Sequence, residues 1–202
     1  MLGHLYTRSM NPNPAEANLQ SAPDEDLMRL VARGFIEKPA TELFRRHNRA
    51  LYNFLAWQCQ GNLSEAEDLT QRTWERILTR CADYEPRSAF RTFLFQIGRN
   101  LWLDVKRSAG ETLREELDDS HHEVPEDDLG PEAAVTLRQD IDRVRTALFA
   151  LSVGQREVVV LRFFSDMSVE DIAQLIGVGY ETVKSRLRYA FSRLRRELEV
   201  QP

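Results

Sequence analysis

The chain has 202 residues, a formal net charge of −5 and 42% hydrophobic residues, enough apolar content for a packed core without disulfides. Two cysteines, Cys59 and Cys81, exclude a secreted disulfide framework and suit a reducing compartment. No apolar run approaches the ~20 residues that a membrane span needs, and the N-terminus lacks the basic start and apolar core of a signal peptide, so a soluble, cytoplasmic protein without membrane insertion is expected.

Residues 1–23 carry Pro12, Pro14 and Pro23 and no sustained apolar period, which predicts a disordered tail. Asp24, Glu25 and Asp26 then lead Leu27, Leu30 and Val31, an acidic first turn opening a short helix that Gly34 can end. A second helix is predicted from about Thr41 to Gln60, with Leu43, Phe44, Leu51, Phe54 and Leu55 as its apolar stripe. Ser64 and Glu67 read as a capping box for a third, which carries Leu69, Trp74, Ile77 and Leu78. After the turn DYEPRS, a fourth spans about Ala89 to Ser108 with Phe90, Phe93, Leu94, Ile97, Leu101 and Val105 inward. Short loops between amphipathic helices predict a small helical domain over residues 24–110.

The character reverses between Glu111 and Glu132. Ten acidic residues there face one Arg114, interrupted by Pro125, Gly130 and Pro131. Such a segment is a linker, placed at 111–133, and its charge exceeds that of the whole chain. The flanking parts are therefore basic.

Four more helices are predicted over 134–202. The first holds Val135, Leu137, Ile141, Val144, Leu148 and Leu151, and Ser152 with Gln155 caps the next, which contains VVVLRFF. Ser168 and Asp171 cap a short helix that Gly177 ends. A longer basic helix follows. The fold class is thus all-α, two small helical domains on a flexible acidic linker, the second domain a helix-turn-helix.

On a 3.6-residue wheel the last helix sends Val183, Leu187, Ala190, Leu194 and Leu198 to one side, with Phe191 at its edge. Glu181, Thr182, Ser185, Tyr189, Ser192 and Arg196 lie on the opposite side, and Tyr180, which opens the helix, joins the DNA-binding candidates; Lys184 and Arg188 form one flank, Arg186 and Arg193 the other. The second helix of such a motif places its N-terminal residues at base edges in the major groove. Glu181, Ser185 and Arg186 are the base-reading candidates, and Lys184, Arg188 and Arg193 suit phosphates.

The segment SVEDIAQLIGVGYETVKSRLRYAFSRLRREL resembles the promoter-recognition helix-turn-helix of bacterial extracytoplasmic-function (ECF) sigma factors. LFRRHNRALYNFLAWQCQGNLSEAEDLTQRTWERIL and YEPRSAFRTFLFQIGRNLWLDVKR resemble the other half of these factors, in the same order. The resemblance implies that the first domain binds core RNA polymerase and melts promoter DNA, while the second reads the upstream element. Glu65, Glu67, Asp68 and Gln71 match the surface that docks on the polymerase clamp helices, where carboxylates suit an Arg-rich partner. Arg87, Phe90, Arg91, Phe93, Arg99, Asn100 and Arg107 fall in the run that melts DNA and captures an unstacked base. Phe90 and Phe93 are its aromatic candidates for stacking, and both also fit the core stripe. An anti-sigma factor, or a kinase acting on Thr70 or Thr73, is the kind of regulator the resemblance brings with it.

Two rival readings follow from the residues. A DNA-binding regulator that never touches polymerase explains the second half but leaves the acidic helix after Ser64 without a role. An enzyme has thinner support. His121 and His122 among acidic neighbours lie in a linker that fixes no ligand geometry, and no nucleophile–base pair or phosphate-cradling loop is present. No cofactor, metal or catalytic residue is expected.

Overall fold

The computed structural model describes residues 19–84, 88–110 and 142–199, and among these the regular elements are all helical. The first group comprises α1 (Asp24–Ala32), α2 (Glu37–Gln58), α3 (Leu63–Thr79), a 3-10 turn (Cys81–Asp83) and α4 (Phe90–Ser108). The second comprises α5 (residues 142–149), α6 (Val153–Val159, prolonged by a π-helical turn over Val160–Phe164), α7 (Val169–Ile176) and α8 (Tyr180–Glu199). The proposed tail and the acidic linker lie outside the described residues, apart from the last few residues of the tail.

Local chemistry sets most boundaries, with two corrections. α2 begins at Glu37 rather than Thr41; Pro39 lies in its first turn, where a missing N–H breaks no helical bond. α3 is capped by Asn62, whose side chain accepts from the Glu65 N–H at 3.2 Å, not by Ser64. Gln60 and Gly61 both have positive φ, and this turn delivers Asn62 in the extended conformation of a cap. Elsewhere the expected devices form. Ser152 and Gln155 make a capping box, Ser168 accepts from the Asp171 N–H, and Gly177 ends α7 at φ 71°.

Leu43, Leu51, Phe54 and Leu55 of α2 pack inward, whereas Phe44 is 47% exposed and rests on Trp74 at 5.3 Å. α4 crosses α2 and α3 closely at Gly98. A methyl group there would stand 3.1 Å from Leu51 Cδ1 and 3.3 Å from Thr73 Oγ1, so the glycine permits the approach. Arg46 anchors the entry to α1. Its guanidinium donates to Asp24, to Glu42 and to the carbonyls of Leu19, Gln20 and Ala22.

The two groups share one apolar core. It runs from Leu27, Leu51 and Phe95 into Val158, Leu161, Met167, Ile172 and Val183. A smaller cluster of Leu148, Leu151, Val159 and Ala190 holds α5, α6 and α8 together. Burial of this kind is the main favourable term in folding, and here it joins the first helical group to the second.

Candidate nucleic-acid and polymerase-binding surfaces

α7, the left-handed Gly177 and α8 form the helix-turn-helix, with Val183 and Ala190 fully buried beneath α8. Glu181, Thr182, Lys184, Arg188 and Tyr189 stand exposed on its outer face. Lys184 Nζ lies 5.2 Å from the Tyr180 ring centre and 3.4 Å from Glu181, and Arg188 lies over Tyr189. Ser185 is half-buried and donates to the Thr182 carbonyl. Arg186, also half-buried, turns toward α6. Its guanidinium carbon is 3.4 Å from the position a Cβ would take on Gly154, at van der Waals contact with α6. Arg193 is half-buried as well. Of the four α8 cations expected to meet DNA, Lys184 and Arg188 face outward and Arg186 lies against Gly154; Arg195 and Arg196 are exposed as well.

α4 presents a different basic surface. Arg91 donates to the Ser165 carbonyl at 2.9 Å, and Arg99 donates to Glu157 at 2.6 and 3.4 Å. Asn100 and Arg107 are exposed, the latter paired with Asp104. Phe93 is half-buried against Tyr84 at 5.4 Å. Phe90 requires a correction, because its side chain is 0% exposed and sits between His47 and Trp74. Stacking on a base would empty that part of the core, so Phe90 is a packing residue. Arg87 lies outside the described residues.

On α3, Glu67, Asp68 and Gln71 are exposed along one side, and Glu65 is half-buried next to the Asn62 cap. Asp68 meets Arg72 at 3.2 Å and Gln71 donates to Glu75. Both partners are themselves exposed, so these contacts yield readily to a competing arginine. Thr70 and Thr73 behave otherwise. They are 6% and 0% exposed, and each hydroxyl donates to the carbonyl four residues before it. Neither is open to a kinase in this packing. Cys59 is buried, and burial pushes its thiol up to about 12, which leaves it protonated and a poor redox sensor. Among the described residues no group of His, Cys, Asp or Glu is arranged to hold a metal, and no helix is long and apolar enough to cross a membrane.

Sequence reasoning missed the residues that join the two groups. Glu157 is 3% exposed and accepts from Arg99 and, at 3.2 Å, from Gln58. Thr92 donates to Asp171 at 3.4 Å, and Trp57 packs on Phe149 and Phe164. One signal was available. Arg156-Glu157 is a charged pair directly before a run of valines, and buried charge is rare unless paired.

Two protein-family models match the chain, Sigma-70 region 2 over residues 43–112 and Sigma-70 region 4 over residues 147–196. RNA polymerase sigma factor NccH of Alcaligenes xylosoxydans xylosoxydans is 30% identical, with 85% of this chain and 92% of the relative aligned. ECF sigma factor SigE of Mycolicibacterium smegmatis is 34% identical over 76% of this chain, which spans only 59% of that relative's length. Among solved structures, the sigma factor RpoE in complex with the anti-sigma factor NepR from Bartonella quintana is 26% identical, covering 82% of this chain and all of that one, with a TM-score of 0.64. Region 2 falls on α2–α4 and region 4 on the span from the end of α5 to α8, in that order, and the chain belongs to the ECF RNA polymerase sigma factors.

Proposed function

We propose that the chain directs transcription initiation by binding core RNA polymerase through α3, handling the melted strand through α4 and reading the upstream promoter element through α8. The observation that carries this reading is the presence of both regions on one chain, in order, at residues 43–112 and 147–196. The exposed acids Glu67 and Asp68 with Gln71 support polymerase docking, and the exposed Lys184 and Arg188 support phosphate contacts. Glu181, Thr182, Ser185 and Arg186 are the base readers of this assignment, with Tyr180 and Arg193 alongside. Arg91, Phe93, Arg99, Asn100 and Arg107, with Arg87 before them, serve the displaced strand. The working units are residues 24–110 and 134–202, joined by the acidic segment 111–133, and the site of action is the cytoplasm, where polymerase works. The protein is a regulatory factor with no reaction of its own. An anti-sigma factor is its natural regulator, in line with the partner on which the RpoE relative was captured.

The test is reconstituted transcription. With core polymerase the chain should initiate from promoters mapped by transcript starts after overexpression. A footprint on DNA alone, with no polymerase-dependent start, would instead identify a regulator acting without polymerase.

A further inference from the structure

Asp24, Glu25 and Asp26 form one acidic first turn in sequence, and the structure sends them to three places. Asp26 pairs with Arg29 on its own helix. Asp24 reaches α2, where it accepts from Arg46 and meets His47 Nε2, each at 2.6 Å. Glu25, half-buried, reaches α4, and its Oε1 accepts from the Phe90 N–H at 2.9 Å. That bond supplies what α4 lacks locally. Its N-cap is Ala89, which has no side chain to accept with, and no acid stands in its first turn. One of the N–H groups that a helix start leaves orphaned therefore takes its acceptor from α1, and a carboxylate there also suits the positive end of the helix.

The Phe90 side chain is gripped by the same circuit. Its buried ring lies against His47 at 5.5 Å, and His47 is itself the partner of Asp24. Successive acids of α1 thus hold the backbone of the first residue of α4 and, through His47, its ring. Phe93 follows one turn later, half-buried, with its ring 5.4 Å from Tyr84. Glu25 bears on that neighbour too. Burial raises the Tyr84 hydroxyl above its ordinary value, and the Glu25 charge raises it further. With Phe90 committed to the core, Phe93 is the aromatic candidate left to meet an unstacked base. Both of its supports, the start of α4 and Tyr84, lie beside Glu25.

We propose that Glu25 is a positioning residue for strand capture: from α1 it fixes the first turn of α4 and so sets where Phe93 stands for an unstacked base. The inference rests on the assignment of α4 to the melted strand made above.

The test uses the full chain with core polymerase, on a promoter mapped by transcript starts and carrying 2-aminopurine in its downstream element. Glu25→Gln keeps an oxygen at the same reach without the charge. Glu25→Asp keeps the charge, and with it the acidic first turn of α1, but falls short by a methylene. Glu25→Gln should open the promoter at close to the parent's rate. Glu25→Asp and Glu25→Ala should open it roughly tenfold more slowly, the scale of a lost hydrogen bond to a charged group. Core-polymerase binding, duplex capture and the helical signal should match the parent in all three. If the acid served only the dipole of α1, the order would reverse, with Asp active and Gln slow, and the proposal would be overturned. Adding Glu25→Ala to Phe93→Ala should slow opening no further than Phe93→Ala alone, because the one acts through the other. Additive losses would make Glu25 a general support of the fold and refute its positioning role. If the parent opens the promoter and Glu25→Asp and Glu25→Ala open it as fast, Glu25 positions nothing, while the wider function stands. If the parent holoenzyme opens no promoter, the wider function fails and takes this inference with it.

Discussion

The basic surfaces of α4 and α8 read alike in sequence and differ in structure. On α8, Lys184 and Arg188 project outward and meet only exposed neighbours on their own helix. On α4, Arg91 and Arg99 end on acceptors supplied by the other half of the chain. A cation on an open face keeps its full attraction for phosphate, while one already paired must first break an internal bond. Counting arginines therefore says little about which surface is ready to bind. Burial and pairing decide it.

The substitution with the largest expected effect sharpens this contrast from a third surface, the exposed acids of α3. Asp68→Lys should abolish binding to core polymerase while leaving the helical signal intact, since an exposed helix position tolerates substitution to within about 0.5 kcal/mol. Pull-down with core enzyme and circular dichroism check it. Polymerase binding that survived in a folded variant would remove α3 from the open surfaces.

Acid should next separate paired from open charge. Arg46 and His47 hold the Asp24 carboxyl below its ordinary value of 3.8 even though burial opposes them. Hydrogen bonds from Arg45 and Arg46 lower Glu42 from 4.5 to about 2. Folded-state values below the unfolded ones mean stability that is present above about pH 4.5 and lost as pH falls through the folded values. Amide exchange in α1 should accelerate over that range, and Asp24→Asn should flatten the response. A pH-independent α1 in the parent chain would contradict the arrangement.

Much of this was legible from local pattern. The acidic first turn of α1, the Ser152 and Ser168 caps, Gly177 and the apolar side of α8 are all encoded within a turn or two of sequence. Choices between equivalent residues were not. Asn62 and Ser64 both suit a cap, and the turn at Gln60 and Gly61 decides between them. Phe44 and Phe54 occupy the same apolar stripe, yet one is 47% exposed and the other 0%. Phe90 fitted both a core and a stacking role, and its place between His47 and Trp74 settles which. The π-helical turn that carries the exposed Phe163 and Phe164, and the Glu157 joint, depend on which helix faces meet far apart in the chain. No local period encodes that.

Within α8 the same distinction between open and covered cations predicts a division of labour. Arg186→Ala should cost about 1–3 kcal/mol at a promoter where it reads guanine, and relax specificity at that base. Lys184→Ala or Arg188→Ala should weaken binding about equally across sequences and shallow the salt dependence by roughly 0.9 per lost phosphate contact. Binding of each variant's holoenzyme to a panel of upstream elements at several salt concentrations distinguishes them. Identical behaviour of all three would mean that the Gly154 contact does not set Arg186 apart.

The smallest expected effect concerns the acidic segment, residues 111–133, and whether the open face of α8 is fully open in the free protein. Ten carboxylates against one arginine repel duplex DNA. Carried on the same chain as α8, they oppose the capture of phosphate by Lys184 and Arg188. Replacing the acids with Gln and Asn at constant length should therefore raise duplex affinity of the polymerase-free chain several-fold at low salt. The gain should shrink as salt approaches 0.15 M, where the screening length falls to about 8 Å. Single-strand affinity should rise much less, because neutralising the segment leaves Arg99 on Glu157. Mobility shifts with duplex and single-stranded DNA check both expectations. If neutralisation changes neither duplex binding nor initiation by the holoenzyme, the segment is only a tether, and α8 stands open from the start.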